Sequence, residues 1–100
     1  MAQATTVDIG TLITKTPGVY GGRPCLAGTR YPVREVAVHY NAGVHPEALA
    51  QDYDLSLEKV YAAIAYYLAN REAIDKDIRR ARAAHAAGKR EQERAQKDAR

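Results

Sequence analysis

From Val33 onward the apolar positions fall into helical order. Val33, Val36, Ala37 and Tyr40 stand at i, i+3, i+4 and i+7, the spacing of one helix face. Asn41-Ala42-Gly43 ends that stretch, with Gly43 suited to a left-handed cap. Pro46 starts a short second helix. If His45 is its N-cap, Val44 and Leu49 are spaced as a hydrophobic staple. That helix ends near Tyr53, Asp54-Leu55-Ser56 is the turn, and Ser56 is a suitable N-cap for a third helix. Leu57, Val60, Tyr61, Ile64 and Leu68 form the stripe of that third, longer helix. Helix, short helix, tight turn, longer helix is the plan of a helix-turn-helix. A fourth helical stretch covers Asn70 to Ala87, with a brief seam of Ala73, Ile74 and Ile78. Glu72 with Lys76 and Asp75 with Arg79 are favourable i,i+4 pairs. Gly88 reads as its interruption, and Lys89 to Arg100 as a charged tail.

Ahead of the helices the pattern is different. Residues 1–8 read as a disordered lead-in. Ile9 to Thr16 is rich in β-formers and precedes a Pro-Gly turn, the mark of a short strand. Pro17 to Val33 packs four Gly and three Pro into seventeen positions. Leu26 to Tyr31 reads as a second short strand with Gly28 as a bulge or turn. Pro32 reads as the first residue of the first helix, where a missing N–H costs nothing.

Composition limits the core. Of 100 residues, 46 are hydrophobic, yet all seven aromatics are Tyr and Phe and Trp are absent. Nineteen of the apolar residues are Ala, and large apolar side chains stop at Ile78. One small domain with a thin core is expected, and such folds recover stability by pairing. There is no apolar run of membrane-spanning length and only one Cys. Together these predict a soluble cytoplasmic protein without disulfides, without a membrane partner and without a cofactor.

Net charge is +3, but unevenly spread. Residues 71–100 carry ten Lys/Arg against six Asp/Glu, whereas residues 1–70 carry five against six. Lys15, Arg23, Arg30 and Arg34 fall in a stretch with no acid between them. Residues 35–70 hold Lys59 against five acids.

Several chemistries can be weighed on spacing. A phosphate loop at Gly22 to Thr29 lacks the P-loop Lys and has five rather than four residues between its glycines. Cys25 with Arg23 nearby and His39 or His45 as base could form a thiol nucleophile. No Cys-His signature supports that, and a small buried hydrophobe is the better reading. His39, His45 and His85 lack metal-ligand spacing. As a recognition helix, the third helix would present Glu58, Lys59, Ala62, Ala63 and Tyr66, a weakly charged face. Arg23, Arg30 and Arg34 on the arm supply the cations such a face lacks, and Lys59 and Tyr66 complete the candidate DNA contacts. Arg79, Arg80 and Arg82 cluster where the core has ended, as a basic segment suited to an acidic partner.

PGVYGGRPCLAGTRYPV, NAGVHPEALAQDY and LSLEKVYAAIAYYLANR, in that order, resemble the domain-of-unknown-function 433 family over about residues 9–75. His45 stands where Ser usually precedes the Pro in that family, and Tyr20 where Cys is frequent. The resemblance implies a VapB-type, antitoxin-like fold. It is mainly α, with a short N-terminal β arm and a homeodomain-like helix-turn-helix core, the domain taken as residues 9–78; the charged C-terminal helix or tail over 79–100 is read from its own charge, since the resemblance ends near Arg71. It also implies function: a non-enzymatic homodimer that binds operator DNA and neutralises a PIN-like ribonuclease toxin. Arg79, Arg80 and Arg82 would then enter the toxin's carboxylate cluster. The alternative is a protein-interaction or dimerisation module that does not touch DNA.

Overall fold

The computed structural model of the chain describes residues 7–98, with side chains through Gly88. The chain divides between Asn70 and Arg71 into two units. The first runs through a 3-10 helix (Ile9–Leu12), strand β1 (Ile13–Thr14), a tight turn (Tyr20–Gly22), strand β2 (Cys25–Leu26), and helices α1 (Val33–Asn41), α2 (Pro46–Asp52) and α3 (Leu57–Ala69). The second is one helix, α4 (Arg71–Asp98). Over the described residues the protein is therefore mainly helical, with four α-helices and one small antiparallel sheet.

The strand expected over residues 9–16 is reduced to two residues, and Asp8 is the reason. Its carboxylate accepts from the Gly10 N–H at 2.9 Å. Its carbonyl accepts from the Thr11 N–H at 2.9 Å and the Thr11 hydroxyl at 2.7 Å. Local bonds from an Asp compete directly with strand pairing. Of the expected lead-in, residues 1–6 lie outside the described residues.

β1 pairs with β2 in the register Ile13↔Leu26 and Thr14↔Cys25. The second strand is also shorter than expected. Leu26 to Thr29 is a turn closed by Thr29 N–H donating to Leu26 O at 3.0 Å. Gly28, at φ +75°, occupies its third position, the type II position that favours glycine. The chain then doubles back: Leu26 N–H donates to Tyr31 O, and Val33 N–H to Pro24 O, both at 2.9 Å. Pro32 consequently stays extended (ψ 149°) as the N-cap of α1, one position before its expected place.

The α1 stripe is buried at three of its four expected positions, and Tyr40 is 38% exposed. Val33, Val36 and Ala37 are fully buried, and Tyr40 lies edge-on to Tyr67 with ring centroids 6.3 Å apart. Gly43, at φ +84°, ends α1. Its N–H donates to Tyr40 O at 3.1 Å, and Val44 N–H donates to His39 O at 3.0 Å, the paired bonds of a Schellman cap. His45 caps α2 through Nδ1, which accepts from Glu47 N–H at a long 3.4 Å. α2 closes with the same cap as α1, but on Asp54 at φ +53° rather than on glycine. Leu55 N–H donates to Ala50 O at 2.8 Å there.

α3 packs against α1, α2 and the hairpin. Its buried seam is Val60, Ala63, Ile64 and Tyr67, with Ala62 also covered. Leu57, Tyr61 and Leu68 were expected in that seam and are exposed instead. The outward face expected to carry Ala62 and Ala63 is therefore displaced around the helix. The helix is apolar on nearly every side, so periodicity alone could not choose between two overlapping stripes.

Ser56 occupies the N-cap of α3 but makes no side-chain cap bond, and its hydroxyl is buried without a hydrogen-bond partner. A working Ser cap loses about 1 kcal/mol on replacement by Ala. Here an orphaned hydroxyl is removed instead, which is itself favourable. Ser56→Ala is expected to hold or raise stability, and urea denaturation checks it; a loss near 1 kcal/mol would show a cap bond in solution.

α4 continues through Gly88 to Asp98, where an interruption was expected. Gly in a helix interior costs only about 1 kcal/mol, so it breaks a helix only when another signal joins it. Arg71 and Asp75 pair at i,i+4 with 3.9 Å between Nε and Oδ2. Among the described residues no helix is long and apolar enough to cross a membrane.

Candidate functional site

Within the first unit the expected site residues separate into three groups. The first is built around the Tyr20–Gly22 turn. Tyr20, Gly21 and Gly22 all have positive φ (51°, 65° and 76°), so the chain makes a left-handed turn there. Such backbone is costly for a tyrosine. The turn sets the Tyr20 ring against α1, where Arg34 Nη2 donates to the Tyr20 hydroxyl. The Arg34 guanidinium carbon also lies 5.1 Å from the ring centroid, within cation–π range. Arg23 folds back over the same turn: its Nη1 is 2.9 Å from where a Cβ on Gly21 would stand. Arg23 and Arg34 thus brace the arm.

The second group joins the hairpin to α3. Lys59 was expected to point outward. Its ammonium instead donates to Ala27 O at 2.8 Å and is half-buried. Nζ lies 3.9 Å from the Cβ position of Gly28. A flexible Lys reaches a backbone carbonyl well because its charge sits on a long stem. Arg30, two residues beyond Gly28, is exposed. With Thr14, Thr16, Val19, Cys25 and Thr29 it lines a cavity of about 300 Å³. Far apart in sequence, Arg30 and Lys59 both meet the Leu26–Thr29 turn, Lys59 through Ala27 O and Arg30 beside Gly28 and Thr29.

The third group is the solvent face of α3. Glu58 is exposed as expected, but Lys59 and Tyr66 are half-buried, and Ala62 and Ala63 are buried. The face presents Leu57, Tyr61, Ala65 and Leu68, with Tyr61 and Leu68 each 46% exposed. It carries no cation. A helix that reads DNA needs donors toward phosphates and base edges, and this one offers apolar surface.

Two titratable groups are displaced from their ordinary values. Burial pushes the Cys25 thiol up, and its Sγ donates to Arg23 O at 3.5 Å. It is a protonated thiol at neutral pH, the opposite of what nucleophilic attack requires. Burial, then Tyr53, then Glu35 push the Tyr31 phenol up to about 12. Tyr31 stacks at a tilt on Tyr53 (5.3 Å), which also meets His39 (5.5 Å), tying the hairpin's end to α1 and α2. Among the described residues no three His, Cys, Asp or Glu side chains gather as a metal site. On α4, Arg79, Arg80 and Arg82 are all exposed or half-exposed.

A family model described as "Protein of unknown function (DUF433)" matches residues 13–67. A crystal structure of a DUF433 member protein from Anabaena variabilis is similar at 36% identity and a TM-score of 0.62, covering 68% of this chain and 68% of that one. No curated protein matches the chain.

Proposed function

This chain belongs to the DUF433 family, and from that premise we propose a non-enzymatic, homodimeric binding protein of the antitoxin kind. Two copies pair through the exposed apolar face of α3, and α4 carries Arg79, Arg80 and Arg82 toward the carboxylates of a PIN-like nuclease toxin. The observation that carries this reading is the α3 face itself. Leu57, Tyr61, Ala65 and Leu68 form a stripe with Glu58 as its one charge, which suits a protein surface better than a phosphate backbone. The basic segment adds to it: between Asp77 and Glu91 the chain holds five Lys/Arg and no acid.

The test pairs the full chain with the nuclease encoded in the neighbouring reading frame. The expected result is a co-purifying complex in which ribonuclease activity is blocked. Deleting residues 79–100 is expected to restore that activity while leaving the protein dimeric. Equal inhibition by the truncated chain would remove the arginines from the role.

A second reading has its own support. Lys15, Arg23 and Arg30 lie on the arm and Arg34 in the first turn of α1, with no acid between them, and a short helix α2, the Asp54 turn and a longer helix α3 follow. On this reading the dimer also binds operator DNA, gripping phosphates with the arm rather than reading bases with α3. A gel shift on the upstream promoter, at low and moderate salt, separates it from a module that does not bind DNA.

A further inference from the structure

We propose that the cavity between the β hairpin and the Leu26–Thr29 turn is a binding site for a phosphate ester. The cavity is about 300 Å³, at the small end of ligand sites. Its polar groups are those a phosphate takes. Thr14, at the end of β1, and Thr16, two residues on, line one wall, and both are exposed. Arg30 forms another wall and, unlike Arg23 and Arg34, has no protein partner among the described residues.

The turn between them is rigid. Thr29 donates its hydroxyl to Leu26 O at 2.8 Å and accepts from Tyr31 N–H at 3.0 Å. That hydroxyl is spent on shape rather than on a ligand. Gly28 presents bare backbone at φ +75°, so a ligand can approach closely where any side chain would be strained.

Electrostatics point the same way. Lys59 Nζ lies 3.9 Å from the Gly28 Cβ position, and its partner there is a carbonyl rather than a carboxylate. A half-buried ammonium with no counter-ion among the described residues projects positive potential onto its surroundings. Among the described residues no carboxylate lines the cavity, and the sequence has none between Asp8 and Glu35. Val19 and Cys25 give the remaining wall an apolar character. That wall favours an ester, with a sugar beside its phosphate, over a bare ion. The ester can be a free nucleotide or one unit of a nucleic-acid backbone. In the second case the site deepens the DNA-binding reading, and in neither does it depend on pairing through α3.

The experiment is a titration of the full chain, followed by amide chemical shifts. The probes are inorganic phosphate, a nucleoside monophosphate, and single- and double-stranded oligonucleotides. Shifts are expected at residues 14–16 and 28–30, with the monophosphate binding more tightly than phosphate. Arg30→Gln, at an exposed position, is expected to weaken binding roughly tenfold or more. Thr14→Val is expected to weaken it less, and Lys76→Gln, at an exposed position outside the cavity, to leave it unchanged. Tighter binding of an oligonucleotide than of the monophosphate assigns the site to nucleic acid; the reverse order assigns it to a free nucleotide. Shifts that survive Arg30→Gln, that fall instead on residues 79–90, or that are absent with every probe at low salt overturn the proposal. A monomeric variant of α3 that still binds the monophosphate separates this site from the dimer.

Discussion

Tyr67→Ala is expected to cost about 3–5 kcal/mol, the range for truncating a buried aromatic. Tyr67 is 1% exposed and is the largest fully buried side chain of the first unit. Its ring meets Tyr40 at 68° between planes, and its hydroxyl accepts from Asn41 Nδ2 at 2.9 Å. The side chain therefore fastens α3 to the end of α1 by packing and by a hydrogen bond together. A domain of this size holds only about 5–15 kcal/mol in total, so the variant should be partly unfolded at about 37 °C. Tyr67→Phe separates the contributions. It keeps the ring and removes the hydroxyl, for an expected loss of about 1 kcal/mol. Urea denaturation at a fixed protein concentration measures both, since pairing would make the midpoint concentration-dependent. A loss below about 1 kcal/mol for Tyr67→Ala would mean that α1 and α3 are held by something other than this contact.

α1 was legible because its apolar residues occupy one stripe and its stop signal, Gly43, is unambiguous. α3 was legible as a helix but not as an orientation. In LEKVYAAIAYYLA both Leu57-Tyr61-Leu68 and Val60-Ile64-Tyr67 have helical spacing, and only packing against α1 and α2 selects the second. The Asp54 cap was hidden because glycine, not aspartate, is the usual residue at such a φ. Asp8 was likewise hidden as the residue that turns an expected strand into a 3-10 helix. The candidate site was legible as a list of cations but not as a place. Arg30 and Lys59 lie far apart in sequence, and what unites them is a hydrogen bond to Ala27 that no local pattern announces. Arg34 showed its charge but not its partner, since Tyr20 reaches it only through a left-handed turn.

On the proposed pairing through α3, Tyr61→Glu is expected to turn the dimer into a monomer without unfolding it. Tyr61 is 46% exposed in the single chain, so the substitution disturbs little of the core. Pairing through a two-fold axis places each position opposite its mirror on the other copy. Two antiparallel α3 helices then bring the large Tyr61 near the small Ala65, and Leu57 near Leu68, which lie about three turns apart, about 16 Å along the axis. That arrangement sets bulk against space at the centre and leucine against leucine at both ends. A buried aromatic removes on the order of 150–250 Å² from water, and a carboxylate at the same point must instead be desolvated without a partner. The dissociation constant is expected to rise at least about a hundredfold, since each ~1.4 kcal/mol is worth a factor of about ten. Sedimentation equilibrium across a concentration series checks the mass, and circular dichroism checks that helicity is kept. Leu68→Glu is expected to act in the same sense, because it strikes the other end of the stripe. If the wild-type chain sediments as a monomer at high concentration, or if Tyr61→Glu remains a dimer, the α3 face is not where two copies meet.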